Sequence, residues 1–216
     1  YGNLFKLDKV NKIDVVESGL STSIGFEYKK NKLNAKKLGK EIFSFSAGQV
    51  ISKEDNLDMP SSSTLDQRFS DIVGTTKYNV NEKVKLNYNF SVDQGYKNIN
   101  YNEIGTELEL ENVKFNLNYL EEKKYIGNQE FVQSGVEYKI NNSTELSFST
   151  KRNILTKSAE FYNLSYNYLN DCLKAGIAYR REFYTDRDIE PANTLMFTIS
   201  IIPLGKINSS GLLSKW

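Results

Sequence analysis

The sequence contains no histidine and only one cysteine, Cys172. Histidine is the usual general base and the commonest metal ligand, so its absence excludes Ser-His and Cys-His nucleophile arrangements. A single thiol can form neither an internal disulfide nor a zinc site of the usual Cys/His kind. Because no other catalytic constellation is complete, the composition predicts a protein that is not an enzyme, with no catalytic residues, metal site or cofactor.

The sequence also lacks an excess of charge and a long apolar run. Lys and Arg number 28 against 27 Asp and Glu, a net charge of +1, so no global field would attract nucleic acid. No run of 18 apolar residues exists, which excludes a transmembrane helix. The hydrophobic content of 39% is low for a globular domain. However, 14 Tyr and 12 Phe are too many aromatic residues for a disordered chain, so an ordered fold is expected.

Apolar residues recur with the period of two that is typical of β-strands. The clearest stretch is 83–92, where Val84, Leu86, Tyr88 and Phe90 alternate with Lys, Asn and Ser. With only three prolines and hardly any helical spacing, about 11 consecutive strands are predicted, an all-β antiparallel meander. The predicted strands are 15–28, 41–51, 67–79, 83–92, 104–111, 113–119, 134–140, 144–151, 162–168, 173–180 and 194–201.

The connections between these strands alternate in length. Longer polar links are predicted near 52–66, 94–101, 123–130, 153–158 and 184–193, and tight links near 79–82, 111–112, 140–143 and 169–172. Short turns at one end and long loops at the other are typical of barrels that cross the bacterial outer membrane. One predicted hairpin, the lysine-rich 29–40, is long on the side where short turns are expected.

Two architectures remain compatible with this pattern. In a soluble sandwich or lipocalin-like barrel, the apolar faces would pack against one another. In a membrane barrel, lipid would cover the apolar face, and the dense Lys, Glu, Asn and Ser on the other face would line a water-filled lumen. The density of polar residues and the strand lengths favour the membrane barrel. A row Val84, Leu86, Tyr88 and Phe90 covered by a second protein layer would contradict it.

Several segments resemble the LptD family of lipopolysaccharide (LPS) assembly proteins, also known as organic solvent tolerance proteins. At the N-terminus, Asp8, Asp14, Val16, Glu17 and Gly19 keep the pattern of the family's barrel opening. Further similar segments are FSFSAGQVI (43–51), FSDIVGTTKYNV (69–80) and the C-terminal stretch 164–205, which closes on Pro203-Leu204-Gly205. The family's frequent cysteine pair is reduced here to Cys172 followed by Leu173.

This resemblance implies localisation in the outer membrane and a role in inserting LPS into its outer leaflet. It implies a closed barrel of about 26 strands, within the known range for such proteins. Residues 1–216 would be the C-terminal part of that barrel, a curved open sheet with strands over 14–204 and a tail over 205–216. The chain begins at Tyr1 without an initiator Met, which also suggests a piece of a longer protein.

The resemblance also implies partners and sites. The partners would be LPS, membrane lipid, a lipoprotein plug similar to LptE, and a periplasmic LPS-transport bridge reached through an N-terminal domain outside this chain. Acyl chains would leave through a seam between the first and last strands, for which residues 194–203 supply one side. The predicted seam residues are Thr194, Leu195, Phe197, Ile199, Ile201 and Pro203.

Inward-facing polar residues are candidate contacts for the plug or for LPS, although a solvated lumen wall is the commoner explanation for any one of them. These candidates are Lys83, Lys85, Asn87, Glu107, Glu109, Lys114, Asn116 and Asn118. The loop alternation places Cys172 in a tight turn on the periplasmic side, which is an oxidising compartment. We therefore expect a disulfide between Cys172 and a cysteine of the periplasmic domain.

Two other functions stay open at the level of sequence. A porin or substrate-gated transporter would share the barrel but would conduct ions and lack a lipoprotein partner. A soluble β-rich adhesin or binding module would need no detergent for solubility.

Overall fold

The computed structural model describes residues 2–6, 9, 19–34, 37–125, 127–170, 172–183 and 191–201. Within them, eleven strands form one antiparallel sheet in which each strand pairs with its neighbours in the sequence. The strands are β1 (Ser21–Asn34), β2 (Lys37–Ser52), β3 (Ile72–Asn79), β4 (Val84–Val92), β5 (Ile99–Glu109), β6 (Val113–Glu122), β7 (Gln129–Asn141), β8 (Thr144–Asn153), β9 (Ser158–Leu169), β10 (Leu173–Glu182) and β11 (Asn193–Ile201). The predicted meander of about 11 strands is confirmed.

The sheet has two chemically different faces because successive side chains of a strand point to opposite sides. The apolar face carries Val84, Leu86, Tyr88 and Phe90 of β4, and the polar face carries Lys85, Asn87, Asn89 and Ser91 of the same strand. In the register, Tyr88 lies opposite Ile104, and Ile104 lies opposite Tyr119, so the apolar residues form continuous rows across the strands.

No second sheet covers the apolar face in the described part of the chain. All extensive contacts between strands are between neighbours in the sheet. Large apolar side chains are therefore exposed along the apolar face, and Leu86 in the central row is 37% exposed. Only Val50, Met59, Phe131 and Phe161 are buried hydrophobic residues among those described. Hydrophobic burial within this chain is too limited to explain why so many strand residues are apolar.

The apolar face ends towards the long loops in a row of polar residues. On β6 the outward positions run Phe115, Leu117, Tyr119 and then Glu121. Glu121 pairs in register with Glu130 of β7, and the Tyr119 hydroxyl donates a hydrogen bond of 2.9 Å to the Glu130 carboxylate. A tyrosine with its ring beside apolar residues and its hydroxyl on a carboxylate suits the boundary between lipid and water.

The connections follow the predicted alternation, with one correction. The connections from β1 to β2, β3 to β4, β5 to β6, β7 to β8 and β9 to β10 lie at one end of the sheet. Those from β2 to β3, β4 to β5, β6 to β7, β8 to β9 and β10 to β11 lie at the other. The prediction of a long hairpin over 29–40 is wrong, because β1 and β2 continue through it and pair as far as Asn34 with Lys37. Backbone pairing holds these lysine-rich segments as strands although their side chains lack the apolar alternation.

The boundaries predicted for the strand region and the tail stay a prediction. The described strands extend from Ser21 to Ile201, whereas residues 14–18 and 202–204 of the predicted strand region lie outside the described residues. The predicted tail, 205–216, also lies outside them. The long link 53–71 contains one short 3-10 helix, Ser61–Ser63, which the sequence did not predict.

Candidate functional site

The predicted polar candidates share one wall of the sheet. Lys85, Asn87, Glu107, Glu109, Lys114, Asn116 and Asn118 lie on the polar face of β4–β6, and Lys83 lies in the turn that precedes β4. Strand pairing, rather than sequence proximity, brings them together.

Glu107 is the centre of the charged part of this wall. Its Oε1 lies 2.5 Å from Lys85 Nζ, and its Oε2 lies 3.8 Å from Lys114 Nζ. Glu109 is the register partner of Lys114. The two lysines and two glutamates therefore balance in charge, which suits a solvated wall and gives no strong preference for an anionic ligand.

The asparagines of the wall lie over glycines. Asn87 and Asn118 flank Gly105 in the register, and a Cβ added to Gly105 would lie 2.1 Å and 2.7 Å from their Oδ1 atoms. Asn116 occupies the space above Gly135 in the same way, 2.6 Å from the position of an added Cβ. The amides thus fill the wall of the sheet while remaining able to exchange hydrogen bonds with water or hydroxyl groups.

The predicted seam strand is β11, which pairs only with β10 among the described residues. Leu195, Phe197, Ile199 and Ile201 lie on its apolar face, with Phe197 66% and Ile199 75% exposed. Thr194 lies on the polar face, in register with Arg180. Pro203 lies outside the described residues. The second edge of β11 leaves backbone groups that another strand could pair with.

Cys172 lies in the short turn between β9 and β10, as predicted. It is exposed and forms no disulfide with a described residue. The side-chain oxygen of Asn170 accepts hydrogen bonds from the backbone N–H groups of Cys172, at 3.0 Å, and Leu173, at 2.7 Å. This turn holds the thiol at the end of the sheet where the short turns lie.

A buried polar cluster around Asp71 was not predicted. Asp71 is 2% exposed, and its Oδ2 accepts hydrogen bonds from Asn100 at 2.6 Å and Tyr125 at 2.8 Å. The Ser91 hydroxyl lies 3.2 Å from the same oxygen and also within hydrogen-bond distance of the Tyr125 hydroxyl, so its single hydrogen can be donated to either acceptor. Thr64 accepts a bond of 3.0 Å from the Asp71 backbone N–H. The cluster joins the long link 53–71 to the ends of β4 and β5 and, through Tyr125, to the link between β6 and β7.

The surroundings of Tyr125 in this cluster shift the pKa of its hydroxyl. Burial raises the pKa of the Tyr125 hydroxyl above its ordinary value of 10, and the hydrogen bond and negative charge of Asp71 raise it further. The Ser91 hydrogen bond acts in the opposite direction. Tyr125 therefore stays a neutral donor to Asp71.

Residues 3–5 lie against the polar face of β1 and β2. The Ser23 hydroxyl donates a 2.5 Å hydrogen bond to the Leu4 carbonyl. A Cβ added to Gly25 would lie 2.8 Å from the Phe5 ring, and one added to Gly48 would lie 3.0 Å from Leu4 Cδ1. The two glycines thus make room for an apolar pair on the polar side of the sheet. Four of the residues that carry the family resemblance lie outside the described residues, namely Asp8, Asp14, Val16 and Glu17.

A second unpredicted group, on the polar face of β7–β10, combines cations with aromatic rings. Lys151 Nζ lies 3.8 Å from the centroid of the Phe131 ring, and the Arg180 guanidinium carbon lies 4.4 Å from that of Phe161. Each cation also has a carboxylate, since Lys151 lies 3.0 Å from Glu160 and Arg180 lies 2.7 Å from Glu182. The pairing of β8 and β10 with β9 brings these residues together, and a local sequence pattern does not show that pairing.

Two further findings concern helices and metals. Among the described residues, no helix has the length and apolar character needed to cross a membrane. No group of three or more His, Cys, Asp or Glu side chains in the described ranges is arranged to hold a metal ion.

The fold and its two faces define a class of protein. The described residues form an antiparallel meander with one apolar and one polar face, no second layer over the apolar face among them, and turns that alternate between two ends. These are the features of a transmembrane β-barrel sheet. The family LPS transport system D (LptD) matches residues 1–147, and the chain belongs to this family. Its place is therefore the bacterial outer membrane, and the family is a transport component that handles LPS.

Comparison with solved structures gives similar folds at low sequence identity. A triple mutant of the Rh. blastica porin is 11% identical with a TM-score of 0.49, covering 81% of this chain and 78% of that chain. A second triple mutant, of the Rhodopseudomonas blastica porin, is 10% identical with a TM-score of 0.43, covering 77% and 81% of the two chains. Comparison with curated proteins gave no match.

Proposed function

We propose that residues 1–216 are the C-terminal part of the barrel of an outer-membrane translocon that inserts LPS into the outer leaflet. The observation that carries this proposal is the open sheet, in which an exposed apolar face and a polar face meet at the edge of β11 that pairs with no described strand. LPS has acyl chains and a phosphorylated saccharide. A seam at such an edge would let the acyl chains reach lipid while the saccharide stays on the polar side.

The edges of the sheet support the placement within a larger barrel. β1 pairs only with β2, and β11 only with β10, within the described residues. In a bilayer, each unsatisfied backbone group costs several kcal/mol, so strands supplied by other parts of the protein would pair with these edges. We assign β11, including Leu195, Phe197 and Ile199, to one side of the seam.

The partners follow from the same proposal. A lipoprotein plug similar to LptE would occupy the lumen, and a periplasmic LPS-transport bridge would deliver LPS through an N-terminal domain. The polar wall of β4–β6 would face the plug or the lumen water. Its balanced ion pairs, Lys85 and Lys114 with Glu107, are compatible with either neighbour.

Depletion of the full-length protein tests the proposal. We expect the amount of LPS at the cell surface to fall, measured by labelling LPS on intact cells, while an unrelated outer-membrane barrel remains assembled as the control. Unchanged surface LPS together with lost ion conductance would contradict the proposal and favour a porin. Full solubility of the protein without detergent would favour a binding module instead.

Cys172 provides a separate test of the predicted disulfide. We propose that Cys172 pairs with a cysteine of the periplasmic domain and so fixes that domain below the barrel. Its exposure in a turn at the short-turn end supports this, because the thiol is accessible there. The full-length protein should resist alkylation at Cys172 under non-reducing conditions and become labelled after reduction. Complete labelling without reduction would exclude the disulfide.

A further inference from the structure

The β1–β2 hairpin projects beyond its neighbours at the end of the sheet that carries the short turns. β1 and β2 stay paired as far as Asn34 with Lys37, whereas β3 ends one residue after its pair of Tyr78 with Phe43. On β1, the partner of Phe43 is Lys30, and Asn34 lies four residues further, roughly 13 Å at about 3.3 Å per residue. With a strand tilt of about 45°, the hairpin reaches roughly 9 Å along the membrane normal, more than a head-group layer of about 5–8 Å.

An aromatic row marks where the apolar face of these strands ends. The ring centroids of Tyr28 and Phe43 lie 6.3 Å apart, and those of Phe43 and Tyr78 are separated by the same 6.3 Å. Tyr28 and Tyr78 are exposed. Aromatic rings collect at the boundary between hydrocarbon and head groups. Because the short turns of outer-membrane barrels lie on the periplasmic side, this row lies at the inner leaflet, which consists of phospholipids.

Lysines follow the aromatic row on the same face. Lys30 pairs in register with Phe43, so its side chain lies on the side of β1 that faces lipid. Lys32 is the next residue on that side, and its register partner is Lys40. All three lysines are exposed. Lys40 forms an ion pair of 3.2 Å with Glu82, whereas Lys30 and Lys32 form no ion pair with a described residue.

The other carboxylates of the hairpin do not balance these lysines. The register places Glu27 and Glu41 on the polar face, where Glu27 binds Lys29 at 2.7 Å. Residues 27–41 contain six lysines and two glutamates, a net charge of +4, whereas the whole chain has a net charge of +1. All other residues together therefore carry −3, so the positive charge of the chain is concentrated at this one hairpin.

A groove of about 600 Å³ begins at the aromatic row and runs along the apolar face, away from the lysines. Thr76 lies opposite the larger Tyr88, which stacks on Phe90 at a centroid distance of 5.6 Å. The small threonine leaves space between larger side chains, and the volume is within the range of ligand clefts, about 300–1,000 Å³. The groove is lined by Phe43, Thr76, Tyr78, Leu86, Tyr88 and Ile104, among others.

We propose that this groove, together with Lys30 and Lys32, binds one anionic phospholipid of the inner leaflet, such as phosphatidylglycerol. One acyl chain lies in the groove, and the phosphate lies at the two lysines. Ammonium groups form charge-assisted hydrogen bonds with phosphate, and lysines at a membrane surface attract anionic lipid. A strand that pairs with the edge of β1 in the complete barrel leaves both faces of β1 uncovered. The inference goes beyond the proposed function, since it requires only that the chain is part of an outer-membrane barrel.

Photo-labelling of the full-length protein in vesicles tests the site. The vesicles contain phosphatidylcholine and a minor fraction of phosphatidylglycerol that carries a diazirine in one acyl chain. In the comparison, phosphatidylcholine carries the diazirine. We expect the phosphatidylglycerol probe to label Tyr88 and Ile104 more strongly than the phosphatidylcholine probe does. The control is the pair Leu146 and Tyr166, on the apolar face near another short turn, which both probes should label equally.

Two outcomes of this labelling would overturn the proposal. The first is equal labelling of the groove by the two probes, which would identify ordinary lipid around a barrel. The second is displacement of the phosphatidylglycerol label by an equal amount of LPS in the same vesicles, which would assign the groove to LPS.

Two adjacent lysines separate this site from the general charge of the hairpin. Lys30→Gln should lower phosphatidylglycerol labelling at Tyr88 about fivefold, as expected for one lysine near a charged membrane surface. Lys29→Gln is the matched control, because it removes the same charge from the polar face and should leave the labelling unchanged. Equal effects of the two substitutions would exclude a role of Lys30.

A measurement on the native protein keeps the test valid if Lys30→Gln fails to assemble. Higher ionic strength screens exposed charges, so it should reduce the preference for phosphatidylglycerol over phosphatidylcholine in the groove. A preference that does not change with salt would contradict the contact between phosphate and lysine.

Discussion

The exposed apolar face makes a strong prediction for two adjacent residues of β6, Leu117 and Asn118. Leu117 is 39% exposed on the apolar face, and Asn118 is exposed on the polar face at the same depth. Phe115 and Tyr119 flank Leu117 on its own face. Arginine at Leu117 would enter lipid, whereas arginine at Asn118 would enter water or the lumen. The two substitutions therefore differ in the solvent that they meet and little in position.

The expected magnitude follows from the cost of a buried charge in a bilayer. Leu117→Arg should lower the free energy of unfolding by about 2–4 kcal/mol, as measured for arginine near the midplane of outer-membrane barrels. That corresponds to roughly 30- to 900-fold in the unfolding equilibrium. Asn118→Arg should change it by no more than about 0.5 kcal/mol, as for most exposed positions. In a soluble protein, both positions would behave like Asn118.

The assay is denaturant unfolding of the full-length protein in lipid vesicles, with both variants compared with the native protein. Loss of the folded band in unheated gel electrophoresis gives a second measurement of the same equilibrium. Equal effects of Leu117→Arg and Asn118→Arg would refute the assignment of the apolar face to lipid. A larger effect at Asn118 would reverse the assignment of the two faces.

Three further predictions concern the long-loop end of the sheet. Asp71→Ala should destabilise the link 53–71 by about 1–3 kcal/mol for each buried donor that loses its partner, and Asn100 is the first of these donors. Limited proteolysis should then cut this link faster. An unchanged rate would contradict the role of the cluster. The pKa of Tyr125 is raised in the folded state, so the stability that this residue contributes is complete below its ordinary pKa of 10. That stability is lost as the pH rises from 10 towards the raised pKa. Thermal unfolding above pH 10 should therefore show a steeper loss of stability for the native protein than for Tyr125→Phe, and parallel curves would count against the shift. Gly25→Val should displace Phe5 from the polar face and strain the pairing of β1 with β2, since a Cβ at this position lies 2.8 Å from both the Phe5 ring and the Ala47 carbonyl oxygen. Protease should then reach residues 2–6 sooner than in the native protein, and an unchanged rate would contradict the contact.

Strand positions and their two faces could be predicted because they depend on local alternation. In β4, each residue between Val84 and Val92 lies on the predicted face. The same argument failed at residues 29–40, where lysines and asparagines give no apolar alternation. There the strand is held by pairing with its neighbour, Lys30 with Phe43 for example, and a pairing partner is not visible in a local pattern.

The alternation of loop lengths was predictable in general and inexact in detail. The link 154–157, on the long-loop side, has the same length as the turn 80–83 on the short side. The end of the sheet at which a link lies follows from the order of the antiparallel strands. The order of the strands does not fix the length of that link. The strict alternation in length therefore weakens where a hairpin on the long-loop side is tight.

The candidate sites were also predictable only in part from the local sequence. The inward position of Lys85, Glu107 and Asn118 follows from period two, but the balance of charge around Glu107 depends on which strands are neighbours. The Asp71 cluster joins residues as far apart in sequence as Asp71 and Tyr125. Nothing in either local segment signals the other.

The amino-acid sequence alone determined that this protein is built of strands with one apolar and one polar face, because the direction of each side chain depends on its position in its own strand. Only the tertiary structure decided that, within the described residues, no second layer covers the apolar face and that Asp71 is enclosed by distant donors. These features arise from register and packing between segments, and register is set by all the strands together.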